Sequence, residues 1–223
     1  MKFDVLTLFP EMFEPLKTSI IGKALEKELI ALNLINIRDF SEDKHKKVDD
    51  TPYGGGAGMI MKPDVVYKAY QSIKDKDEKA KVIYMSPQGK TLNQQMVEEL
   101  SKESHLIILC GHYEGIDQRV LDKIVQEEVS IGDYVLTGGE IPAMVLIDSV
   151  SRYIEGVLKK ESIGEESFSN GLLEYPQYTR PEVFEGASVP KILLTGHHEN
   201  IDKWRKEQAI EITKKKRPDL LQT

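Results

Sequence analysis

The sequence predicts an α/β protein: a mainly parallel sheet covered by helices, followed by a small, mostly helical C-terminal domain. Three observations carry this expectation. Short β-branched apolar runs alternate with polar helical patterns. Glycine clusters directly follow several of the predicted strands. A polar, Gly- and Ser-containing stretch, 159–170 (KKESIGEESFSN), then interrupts the alternation.

Taken in order, residues 3–9 (FDVLTLF) read as a buried strand stopped by Pro10, and 34–37 as a second. Residues 81–85 (KVIYM), 106–110 (LIILC) and 128–131 (EVSI) are further strands, bounded by Gly or Pro. Residues 93–102 and 117–126 are polar enough for surface helices. Ala143, Ile147, Val150 and Ile154 place one apolar stripe on a helix of about 140–155. Thr137 and Glu140 stand three apart, as in a capping box, with Pro142 in the first turn. Ile201, Trp204 and Ile212 mark a helix within 196–216, closed by Arg217-Pro218. The expected organisation is a domain over 1–158, a linker over 159–170 and a small helical domain over 171–223.

With 223 residues, 40% apolar and 30% charged, the chain is long enough for one sizeable core and a smaller companion. No apolar run approaches the roughly 20 residues of a membrane span, and the start MKFDVLTLFP lacks the features of a signal peptide. A single cysteine, Cys110, can form no intramolecular disulfide and no cysteine-based zinc cluster. The expected setting is the reducing cytoplasm. His197-His198-Glu199 lacks the H-x-x-x-H spacing of a helix-borne zinc site, so no zinc is expected.

A net charge of −7 tells against a surface that grips nucleic acid everywhere. The average hides a reversal. From Lys203 to Thr223, seven basic and three acidic residues leave a surplus of +4, against −11 for the remainder. Such a run is either a solvated helix end, where cations favour the helix dipole, or a phosphate-facing patch.

The glycines are informative by position. YGGGAGM holds Gly54, Gly55, Gly56 and Gly58; GHYEG holds Gly111 and Gly115; IGDYVLTGGE holds Gly132, Gly138 and Gly139; Gly89 closes SPQG. In a parallel sheet the ligand crevice lies beyond the carboxyl ends of the strands. Glycine-rich loops leaving three such ends allow close backbone approach to a ligand. Neither a P-loop nor the G-x-G-x-x-G fingerprint occurs, and GHYEG and IGDYVLTGGE carry no Lys or Arg for a phosphate. Tyr84, Met85, Pro87, Tyr113, Ile131, Tyr134, Leu136 and Pro142 offer apolar and aromatic contacts instead, which suit an uncharged purine–ribose group.

SPQG at 86–89, CGHYEGIDQR at 110–119, IGDYVLTGGE at 131–140, SFSNGLLEYPQYTRP at 167–181, TGHH at 195–198 and PYGGGAGM at 52–59 stand in one order along the chain. Together they resemble the TrmD family of bacterial tRNA (guanine-37-N1)-methyltransferases, in the SPOUT superfamily. The resemblance implies a SPOUT-type knotted, mainly parallel sheet with helices on both faces and a trefoil knot. It implies transfer of a methyl group from S-adenosyl-L-methionine to N1 of guanine 37 of tRNA, by a homodimer whose active site lies at the subunit interface. The donor site then falls on Tyr84, Met85, Ser86, Pro87, Gly111, Tyr113, Glu114 and Gly115. It continues through Ile131, Gly132, Asp133, Tyr134, Val135, Leu136, Gly138, Gly139 and Pro142.

The family's catalytic arginine falls on Arg152. Its proposed base, an aspartate directly before Ser-Phe, is Glu166 here, one methylene longer, with Glu165 and Glu174 as alternatives. The family's arginine after Cys-Gly is His112 here. Mg2+ is linked to the family's activity, with Glu114 as a contributor, although the sequence shows no ligand cluster. A non-catalytic adenosine- or RNA-binding regulator is the competing class, distinguished by affinity without methylated product.

Overall fold

The computed structural model describes residues 1–74, 79–159, 164 and 166–221. The chain divides into two compact units, Met1–Leu158 and Lys159–Thr223.

The first unit is built on five strands: β1 (Lys2–Thr7), β2 (Ala31–Asn36), β5 (Lys81–Thr91), β6 (His105–Cys110) and β7 (Glu127–Ser130). They run in the order β2-β1-β6-β5-β7, every pairing parallel. A strand covered on both faces needs no polar alternation, and β6 (HLIILC) is buried at all six positions. The five predicted strands are all present. Between them stand two short antiparallel strands, β3 (Asp49–Asp50) and β4 (Ile60–Met61).

Helices cover both faces. A 3-10 segment over Pro10–Lys17 and helices α1 (Ser19–Glu26), α3 (Gln94–Leu100) and α5 (Glu140–Ser151) bury Phe13, Ile21, Leu100 and Leu146 against Phe3, Val5, Ile83 and Ile108. On the other face, α2 (Pro63–Gln71) and α4 (Gln118–Ile124) pack Val65, Val66, Val120 and Leu121 against Leu6, Val82, Ile107 and Leu109. Neighbouring strand residues thus serve opposite cores, as the two-residue period requires. At the opposite end of the sheet from the glycine loops, fully buried Asp4 bonds His105 Nε2 (2.7 Å) and accepts from Asn33 Nδ2 (2.8 Å).

Helix starts are locally encoded. Asn93 and Asp117 cap α3 and α4, accepting from the backbone N–H of Met96 and Arg119. The Thr137–Glu140 capping box does not form. Gly139 occupies the N-cap of α5 with no side-chain cap, and Glu140 turns to other partners. The predicted helix over 140–155 also stops earlier, at Ser151.

In the second unit, β8 (Val183–Phe184) and β9 (Ala187–Ser188) form a hairpin closed by Glu185 and Gly186, both at positive φ (49° and 83°). A single long helix, α6 (His198–Lys216), follows and buries Ile201, Ala209 and Thr213. No helix among the described residues is long and apolar enough to cross a membrane.

Candidate active site

Because all five strands of the sheet are parallel, their carboxyl ends share one edge, and the glycine loops gather there. The first wall comes from β5. At Met85 this strand pairs with Val129 of β7, departs for Ser86–Gly89, and returns at Lys90 opposite the same Val129. The detour needs glycine at its close: a Cβ on Gly89 would stand 2.3 Å from the Glu128 carbonyl carbon. Ser86 Oγ accepts from Gln88 N–H (3.1 Å) and holds the turn.

The second wall is the loop after β6. Gly111 lies against Tyr84, whose hydroxyl would be 2.7 Å from any Cβ there. Tyr113 adopts φ 61°, a left-handed conformation uncommon outside glycine. The PYGGGAGM segment reaches the same place: Glu114 N–H donates to Met59 O, and Gly58 lies so close to Glu114 that a Cβ would meet its side chain at 2.4 Å.

The third wall is the loop after β7, running into α5. Gly139 N–H donates to Gly111 O (2.9 Å), and His112 bridges to Gly138. A Cβ on Gly139 would come within 2.8 Å of Cys110 Cα. These approaches tie the second and third walls together through backbone alone.

The open cavity between the three walls measures about 330 Å3. Tyr84, Met85, Ser86 and Pro87 line it from β5; Gly111, Tyr113, Glu114 and Gly115 from the second wall. Ile131, Gly132, Tyr134, Val135 and Leu136, then Gly138, Gly139 and Pro142, complete it. Asp133 is exposed and is not among the lining residues. The lining also takes in residues that the loop motifs did not single out: Leu121 and Gln118 of α4, and Glu128 and Val129 inside β7. They come from within regular elements, where only the sheet order reveals that they face the cavity.

Among the described residues no Lys or Arg lines the cavity, and the lining carboxylates are Glu114 and Glu128. Burial, aided by the nearby Glu128 charge, pushes the Tyr84 hydroxyl up to about 12, so it remains a proton donor at neutral pH. Burial likewise raises the Cys110 thiol well above its usual value. The glycine approaches, the neutral phenol and the missing cations fit an adenosine-bearing group with no polyphosphate. For magnesium the fit is poor: among the described residues, no group of three or more His, Cys, Asp and Glu side chains could hold a metal ion.

Behind the cavity sits a buried polar relay. Glu140, 1% exposed, accepts from Thr7 Oγ1 at 2.6 Å and bonds His112 Nε2 at 2.7 Å. The Phe9 ring meets the His112 ring edge-on at 4.8 Å between centroids. Glu140 thereby joins the end of β1, the second wall and the start of α5.

Arg152 does not line this cavity. It is the C-cap of α5, ten residues beyond Pro142, which is roughly 15 Å along the helix axis. Glu166 belongs to the second unit, where its carbonyl accepts from Ser169 N–H (3.2 Å). Glu174 is in the same unit, and its carboxylate is engaged by Gln177 Nε2 (2.6 Å). Glu165 lies outside the described residues.

Comparisons with known proteins give the family. The sequence profile of the family described as tRNA (Guanine-1)-methyltransferase TrmD matches residues 1–223. A tRNA (guanine-N(1)-)-methyltransferase of Ruminiclostridium cellulolyticum is 62% identical over 223 residues, covering 99% of this chain and 96% of that protein. Proteins with the same name from Clostridium botulinum and Alkaliphilus oremlandii are each 59% identical; each alignment covers 99% of this chain, and 91% and 92% of the respective relatives. With the family matched over its whole length, this chain belongs to the tRNA (guanine-1)-methyltransferases of the TrmD family.

Proposed function

We propose that this protein transfers a methyl group from S-adenosyl-L-methionine to N1 of the guanine at tRNA position 37, beside the anticodon, in the cytoplasm. The observation that carries the reading is the cation-free, glycine-walled cavity at the carboxyl edge of the sheet, in a chain of this family. When bound, the donor supplies an electrophilic sulfonium methyl. The protein's residues do the rest.

Guanine N1 carries a hydrogen and is a poor nucleophile until it is lost. Glu166 takes that proton as the methyl arrives, a contribution of roughly 10²–10⁴ in rate. Negative charge develops on O6, where the Arg152 guanidinium stabilises it. The three walls hold the donor in line, so proximity contributes much of the remaining acceleration. The target base leaves the anticodon stack to reach the cavity. Exposed Lys203, Lys206, Lys214, Lys215 and Lys216 on α6 contact phosphates along the way. The donor-binding segments are read as parts of a trefoil knot that bends the donor. No step is assigned to a metal ion.

The working unit is a homodimer. Arg152, roughly 15 Å of helix beyond Pro142, does not line the cavity of its own subunit, and on this reading a second copy brings an equivalent arginine to it. Met12, Ile141 and Val145, 36–46% exposed, supply apolar surface for that association.

The test is methyl transfer from labelled donor to an unmodified tRNA transcript, with the product mapped by mass spectrometry. One methyl at guanine 37 N1 is expected. Glu166→Gln and Arg152→Ala should each lower single-turnover transfer by about 10² or more while leaving S-adenosylhomocysteine affinity intact. Donor affinity without any methylated product would favour a binding module instead.

A further inference from the structure

Within the second unit, the turn that carries Glu166 is fastened to the last turns of α6. The turn is closed on itself: Phe168 N–H donates to Leu172 O (2.7 Å), Gly171 N–H to Phe168 O (3.2 Å), and Glu174 N–H to Ser167 Oγ (3.0 Å). Phe168 holds φ 76°, so the chain reverses sharply two residues after Glu166. Its exit is then pinned. Leu173 N–H donates to Thr213 Oγ1 at 2.9 Å, and the same hydroxyl donates to Ala209 O at 2.7 Å.

Thr213 is fully buried, the only polar side chain of this unit so placed among the described residues. A threonine satisfied only by its own helix would need no such partner. Here its second hydrogen bond crosses 40 residues of sequence. On either side of it, the Arg217 guanidinium lies over the Phe168 ring (5.9 Å) and that of Arg205 over the Tyr175 ring (4.9 Å). Asp219 holds Arg217 in place through two nitrogens. Lys214, Lys215 and Lys216, all exposed, follow Thr213 directly.

We infer that Thr213 is a positioning residue for Glu166: its hydroxyl docks the Glu166 turn onto the helical turn that presents the lysines to tRNA. Docking of the nucleic acid on α6 and placement of the base are thereby one event. The inference rests on the reading of Glu166 as the base.

The test uses the full-length protein, S-adenosylmethionine and a tRNA transcript, with single-turnover transfer and tRNA affinity measured side by side. Thr213→Val keeps the shape and removes the hydroxyl. It should slow transfer by about tenfold or more, the scale of a misplaced catalytic group. Its tRNA affinity should stay within about twofold, since the phosphate contacts are untouched. Thr213→Ser, which keeps the hydroxyl, should restore the rate. Wild-type transfer by Thr213→Val overturns the inference. So does a parallel loss of rate and tRNA affinity, which would make Thr213 merely structural. Glu166→Gln separates the two layers: wild-type transfer by that variant removes the base assignment itself, whereas an inactive Glu166→Gln beside a fully active Thr213→Val removes only the anchoring.

Discussion

Gly138 is where the buried relay and the cavity meet. A Cβ there would fall 2.3 Å from His112 Nε2 and 2.7 Å from Glu140 Oε2, so glycine is what lets that pair lie across the third wall. Overpacking of this kind costs about 1–3 kcal/mol, and the movement has nowhere to go but into the loops that hold the donor. Gly138→Ala should therefore weaken S-adenosylhomocysteine binding by about tenfold in calorimetry, a loss of ~1.4 kcal/mol. Unchanged affinity would show the relay to be uncoupled from the cavity. Little of this could be read beforehand. Glu140 has the spacing of a capping-box acid, but its partners are 28 and 133 residues away, and no local pattern encodes that. Asp133 shares a motif with its neighbours, yet its side chain is exposed and is absent from the lining.

At the level of elements, β5 does the most for the site, because it leaves the sheet and returns to the same neighbour. Gly89 closes the detour against β7 backbone, which cannot yield as a flexible side chain would. Gly89→Ala should destabilise the protein by about 1–3 kcal/mol. Thermal melts would register it as a lower Tm, with a smaller upward shift on adding S-adenosylhomocysteine than the parent shows. An unaltered Tm would mean that the strand re-registers at no cost. The five strands were legible because buried parallel strands are continuous apolar runs bounded by Gly or Pro. α1 and α2 were not: unlike α3 and α4, whose starts Asn93 and Asp117 mark, neither begins with a side-chain cap. The detour was invisible too: SPQG reads as the end of a strand, and only pairing with β7 shows the strand resuming.

For the whole molecule, the proposed reading divides the chemistry between the two units. The first unit carries the donor cavity and Arg152; the second carries Glu166 and the lysines of α6. If Arg152 and Glu166 act on the cavity of the other copy, two defective proteins should complement. Glu166→Gln and Gly138→Ala, mixed under conditions that exchange subunits and assayed at a donor concentration too low to fill the Gly138→Ala cavity, should recover about a quarter of the parental transfer, since half the dimers are hybrid and each hybrid has one intact site. No recovery, with exchange verified by light scattering of tagged copies, would place all the machinery within a single subunit. A mechanical corollary follows from the way β5 is stitched to β7 before and after Ser86–Gly89. One jamb of the doorway is bolted at top and bottom, while the facing jamb at 131–137 is largely exposed and turns at Gly132, at φ 148°. On the proposed reading, the spent donor leaves past that exposed leaf, and substitutions along it should alter the speed of turnover without touching the frame.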